Sequence, residues 1–113
     1  MFYKSCLAAI AILVAAGSAW ADPIEGTWKR PNGTLITYAG SGAKFCGTVM
    51  TGQYKGKSIG CMNGTNGQYQ GTVNKLDEGK TYNGKASVSG NTLSLSGCVL
   101  GGLICKSEDL ARQ

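Results

Sequence analysis

From residue 22 onward, apolar and polar side chains alternate in short runs, and Gly, Asn or Pro interrupts them about every 8–12 residues. No stretch carries a helical period. The alternation predicts eight strands: Ile24–Lys29, Thr34–Tyr38, Lys44–Met50, Lys57–Met62, Tyr69–Asn74, Thr81–Val88, Thr92–Val99 and Leu103–Ser107. The turn signals between them are Pro31-Asn32-Gly33, Gly40-Ser41-Gly42, Asn63-Gly64 with Asn66-Gly67, Asp77-Glu78-Gly79, Gly90-Asn91 and Gly101-Gly102. A turn at Gly90-Asn91 pairs Val88 with Leu93, Ala86 with Leu95, Gly84 with Gly97 and Tyr82 with Val99. One face is then apolar, and the other carries Lys85, Ser87, Thr92, Ser94 and Ser96. A slip of one residue would exchange the faces, so this register is strongly set.

Eight short antiparallel strands in sequence suggest an all-β meander barrel, because closure removes the exposed sheet edges. The rival is a two-sheet sandwich. An eight-stranded barrel is just wide enough for side chains to fill or for one small ligand to occupy.

The first 21 residues follow a different pattern. Lys4 precedes the apolar run Cys6–Ala16, and Ala19-x-Ala21 supplies small residues where a signal peptidase cuts. The run is too short to cross a membrane, which takes about 20 residues. The expected organisation is a signal peptide over 1–21 and one β-barrel domain over 22–113. The mature protein is then exported, periplasmic or secreted, without a transmembrane segment. All but Gly17 of the 18 glycines, and all but Cys6 of the five cysteines, fall in the barrel region.

A domain of this size buries about 60–65% of its unfolded surface and gains from covalent staples. Cys46, Cys61, Cys98 and Cys105 therefore read as a disulfide framework. Four cysteines allow three connectivities, and the local one is favoured. A turn at Gly101-Gly102 sets Cys98 directly opposite Cys105, within disulfide reach, and leaves Cys46 for Cys61. No CxxC spacing occurs, so no metal is expected, and no cofactor either.

The 113-residue chain contains no histidine, and its formal net charge is +5. Histidine catalysis is thereby excluded. The acids Asp22, Glu25, Asp77, Glu78, Glu108 and Asp109 offer no natural pair facing one cleft, since neighbours on a strand point to opposite faces. No enzyme is expected. Lys55, Lys57, Lys75, Lys80 and Lys85 read as a solvated face, or more sharply as a weak anion-seeking surface.

A weak repeat is also present. Gly52-Gln53-Tyr54-Lys55-Gly56 recurs as Gly67-Gln68-Tyr69-Gln70-Gly71, and Tyr82-Asn83-Gly84 is a third Tyr-x-Gly. Aromatic rings covering the bare backbone of bent strands is one reading. A row of stacking tyrosines is the other, with export arguing against nucleic acid as the partner.

Gly26-Thr27-Trp28 resembles the Gly-x-Trp of the first strand of lipocalin-like (calycin) barrels. The resemblance implies that Gly26, Trp28 and Arg112 close one barrel end, with Arg112 lying across the indole. A longer resemblance runs through Asp22–Trp28, Phe45-Cys46-Gly47, Gly79-Lys80-Thr81-Tyr82 and Gly97–Cys105. That pattern is similar to the bacterial "domain of unknown function 2147" family, small exported proteins with a lipocalin-like barrel and no established activity. Three departures stand out. The cysteine that the family often has just before the Cys46 equivalent is missing, which leaves Cys61 as a substitute partner. The insertion between the third and fourth strands is cut to Thr51–Lys57. Leu110 stands where a tryptophan is usual.

Two functions follow as expectations. One is a monomeric, non-catalytic binding module for a small apolar or amphipathic ligand, with Trp28, Tyr54, Tyr69 and Tyr82 as candidate ligand-binding residues. The other is a filled barrel that contacts an envelope polymer or protein through outer Tyr and Lys side chains.

Overall fold

The computed structural model describes residues 22–113, so the expected export signal at 1–21 lies outside the described residues. The alternating segments form eight antiparallel strands: β1 (Gly26–Lys29), β2 (Leu35–Ser41), β3 (Lys44–Val49), β4 (Ser58–Thr65), β5 (Gln68–Lys75), β6 (Lys80–Ser89), β7 (Thr92–Val99) and β8 (Ile104–Arg112). Each pairs with the next, and β8 returns to β1 through Trp28–Arg112 and Lys29–Ala111. The sheet is a closed barrel rather than a sandwich.

The β6–β7 hairpin has the register that its alternation dictates, with Ala86 opposite Leu95 and Val88 opposite Leu93. Its ladder ends at Asn83–Cys98, so Tyr82 and Val99 do not pair as expected. Instead, Tyr82 packs its β-carbon over Gly97. Asn63-Gly64 is also not a turn. Both residues lie inside β4, and the hairpin turns on Asn66-Gly67, whose φ angles of 57° and 90° suit a tight primed turn. A glycine is required at 64 for another reason, because a β-carbon there would sit 2.1 Å from the Gln68 carbonyl oxygen on β5. Likewise the β2–β3 turn is Gly42-Ala43 rather than Gly40–Gly42, since Ser41 already pairs with Lys44. β8 runs five residues beyond its expected end, to Arg112, because closure gives its second half partners on both sides.

Both disulfides join directly opposed residues on adjacent strands: Cys46–Cys61 across β3 and β4, and Cys98–Cys105 across β7 and β8. At the tip of the second hairpin Gly101 and Gly102 have φ of 67° and 93°.

The up-and-down order puts alternate connections at opposite ends. One end receives the Arg30–Thr34, Met50–Lys57, Leu76–Gly79 and Leu100–Leu103 connections. The other receives the turns at Gly42, Asn66 and Gly90, together with both ends of the 22–113 chain. Inward side chains at the second end pack solidly: Trp28, Tyr38, Phe45, Met62, Leu93 and Leu110 are all at most 1% exposed. Phe45 and Tyr69 meet edge to face, with ring centroids 5.9 Å apart.

Candidate functional site: a half-hollow barrel

The solid end is sealed by residues 22–25, which fold across it. Trp28 Nε1 donates to the Ile24 carbonyl at 2.9 Å. Arg112 donates through Nη2 to the Pro23 carbonyl at 2.7 Å and through Nη1 to the Glu25 carbonyl at 3.2 Å. Its guanidinium carbon lies 4.2 Å from the centre of the indole ring. Tyr69 donates its hydroxyl to Asp22 and accepts from the Gly67 amide at 3.0 Å. Burial, and then the bond to Asp22, push the Tyr69 phenol above its ordinary pKa.

The opposite end is hollow. A cavity of about 890 Å³ opens there, with Ile36, Val49, Ile59, Val73, Leu76 and Leu95 on its wall. That volume falls within the roughly 300–1,000 Å³ range of small-molecule sites. The hollow exists because the inward positions at this end carry aliphatic side chains smaller than the aromatics of the solid end, a bare Gly97, or charged side chains near the rim. Several inward positions near the rim are polar: Arg30 just beyond β1, Lys75 on β5, Tyr82 on β6, and Lys106 and Glu108 on β8.

These rim residues form defined pairs. Arg30 Nε meets Glu108 Oε1 at 2.5 Å, and Nη2 meets Oε2 at 3.2 Å, a two-toothed clasp spanning the β1–β8 seam. The Glu108 bond raises the Arg30 pKa further. Lys75 Nζ contacts Asp77 at 3.1 Å and Glu78 at 3.2 Å, and Tyr82 donates its hydroxyl to Glu78 at 2.8 Å. The bond from Lys75 holds the Asp77 carboxyl below its usual range. The bonds from Tyr82 and then Lys75 do the same for Glu78.

Of the four aromatic candidates, the structure brings only two into this cavity. Tyr54, from the β3–β4 connection, and Tyr82 line it. Trp28 and Tyr69 belong to the solid end, where both are buried. The three Tyr-x-Gly segments do not build an outer row of tyrosines either, because Tyr69 and Tyr82 share the inward parity of Gly71 and Gly84. The charged rim pairs are what sequence reasoning missed. Arg30 and Glu108 lie 78 positions apart, and only closure of β1 on β8 makes them neighbours. Among the described residues, no helix is long and apolar enough to cross a membrane, and no cluster of three or more His, Cys, Asp or Glu residues could hold a metal.

Residues 57–112 match the family model described as an uncharacterized protein conserved in bacteria, DUF2147. This stretch, β4 to β8, belongs to the DUF2147 family. The match covers the stapled Cys98–Cys105 hairpin, Lys75, Tyr82 and Glu108. Asp22–Trp28 and Cys46, which also carry the sequence resemblance, lie before it. No curated protein and no solved structure matches the chain.

Proposed function

We propose that the protein is a binding module that takes a small amphipathic molecule into the open half of the barrel. One observation carries this reading: a cavity of about 890 Å³ whose lower wall is aliphatic and whose rim is charged and hydrogen-bonded. Apolar walls reward removal of hydrocarbon from water by about 25 cal/mol per Å². The rim offers a polar headgroup Arg30, Lys75 and Lys106 as donors, with Tyr54 and Tyr82 as flanking rings. The solid end gives the cup a fixed floor, so little ordering cost falls on binding.

In this reading the protein holds its ligand without transforming it. Its chemistry is that of a lipocalin-like carrier in the bacterial envelope. The signal pattern over Met1–Ala21 and the two disulfides support export to an oxidising compartment.

The test is direct. Protein purified without detergent is extracted, and co-purifying small molecules are identified by mass spectrometry. The delipidated protein is then titrated with an environment-sensitive fluorescent fatty acid. Saturable one-to-one binding is expected. No co-purifying molecule together with no uptake of the probe would overturn the proposal.

A further inference from the structure

The exposed large apolar side chains are not scattered. Met50, Val99, Leu100, Leu103 and Ile104 are the ones that stand exposed among the described residues, and all five sit at the open end of the barrel. Four flank Gly101-Gly102 at one hairpin tip, where Leu103 is 85% exposed, Leu100 68% and Ile104 54%. A tip this apolar, joined only through two glycines, is costly to leave in water, and such patches mark contact surfaces. The Cys98–Cys105 bridge and the Val99–Ile104 pair fix the base of the hairpin, which holds the tip at the mouth of the barrel. Val99 and Ile104 also line the cavity, which makes the apolar tip continuous with the mouth of the cup.

Charge is distributed in the same sense. The acids at this end, Asp77, Glu78 and Glu108, are each paired with Lys75 or Arg30. Lys55, Lys57, Lys80 and Lys106 lie at the same end, are exposed, and enter none of the ion pairs among the described residues. Asp22, Glu25 and Asp109 lie towards the solid end. An apolar tip on an end that also carries four lysines outside these ion pairs fits an anionic lipid surface: apolar side chains enter the acyl boundary while lysines meet headgroup phosphates.

We infer that the open end docks on an anionic bilayer, with the Val99–Ile104 tip inserted and the mouth of the cup against the lipid. The amphipathic ligand then passes between membrane and cavity without crossing water, a step that rests on the binding reading above.

The test is vesicle flotation with the purified protein, using phosphatidylcholine vesicles with and without phosphatidylglycerol. The Leu100→Asn/Leu103→Ser variant removes the wedge, and asparagine tolerates the positive φ of 54° at position 100. Wild type is expected to float with the phosphatidylglycerol vesicles. The double variant should lose about tenfold or more in partitioning, and neutralising Lys55, Lys57 or Lys106 to Gln about fivefold each. Added salt should weaken wild-type binding. Wild type that stays off the vesicles, or variants that partition as wild type does, would overturn the inference. So would a wild-type dimer that the double variant dissociates without any vesicle binding, since the leucines would then face a second copy. Uptake of a monomeric short-chain fluorescent lipid, measured without vesicles, reads the cup alone. It should be unchanged in the double variant, so docking and binding can fail separately.

Discussion

Arg112 and Trp28 are Cα partners at the seam where β8 meets β1, and the guanidinium lies 4.2 Å from the indole centre. The same arginine holds the Pro23 and Glu25 carbonyls, so one side chain joins the seam, the plug and the lid of the solid end. Arg112→Met keeps the length but loses the charge and both bonds. A loss of about 2–3 kcal/mol is expected, read from urea unfolding. Arg112→Lys should recover only part of it, because an ammonium lacks the planar fork. A change under about 0.5 kcal/mol in the methionine variant would remove the seam from the account.

Tyr38 presents a different balance. Its hydroxyl is buried with no hydrogen-bond partner in the structure, and burial alone pushes its pKa well above the ordinary value near 10. Tyr38→Phe should therefore be neutral or stabilising, by about 1–3 kcal/mol. The unfolded chain ionises this phenol first as pH rises. Its contribution is thus constant below about pH 10, and stability is lost as pH climbs from there towards the higher folded value. Wild type should lose stability above pH 10 faster than Tyr38→Phe does, by about 1.4 kcal/mol per pH unit for this one group. Denaturant titrations of the two proteins from pH 8 upward give the comparison, and parallel curves would show that the phenol is not buried.

Two interior glycines on paired strands should respond oppositely. At Gly84 a β-carbon would lie 2.6 Å from Val73 Cγ2 and 2.7 Å from Met62 Cε. Gly84→Ala is expected to cost about 1–3 kcal/mol through overpacking. At Gly97 the nearest atom is Tyr82 Cβ at 3.6 Å, an ordinary contact facing the cup. Gly97→Ala should be tolerated or should stabilise by about 0.4–1 kcal/mol. Gly97→Leu should fill the cup and abolish uptake of a fluorescent fatty acid while the barrel stays folded by circular dichroism. Full uptake in a folded leucine variant would place the ligand elsewhere.

The two bridges close loops of different length, with cysteines 15 and 7 positions apart. Chain entropy assigns about 3 kcal/mol to Cys46–Cys61 and about 2.4 kcal/mol to Cys98–Cys105. Thermal melts of the Cys→Ala pairs should rank them in that order. The Cys98→Ala/Cys105→Ala protein should in addition float less with phosphatidylglycerol vesicles, because its tip is no longer held. The reverse ranking would mean that the shorter bridge constrains more than its own hairpin.

What the sequence determined by itself is local. Period-two alternation and the glycine turns specify strands, and a turn plus alternation specifies register, because a slip exposes the whole apolar face. Val88–Leu93, Ala86–Leu95 and the two disulfides follow from that logic, since each joins neighbours along a hairpin. What needed the tertiary structure is whatever spans the seam or depends on the ends of the barrel. Arg30 reaches Glu108 only once β8 closes on β1, and the up-and-down order of the closed barrel brings Met50, Lys55, Lys57 and Lys80 to the same end as the β7–β8 tip. Whether the lumen is filled was settled the same way. Trp28, Phe45, Met62 and Leu110 come from four different strands and crowd one end, while the other end is lined by aliphatic side chains that leave a cavity between them and by a polar rim. Alternation tells a residue which face it takes, but closure decides which end it shares and with whom, because neighbours across a barrel are set by stagger rather than by distance along the chain.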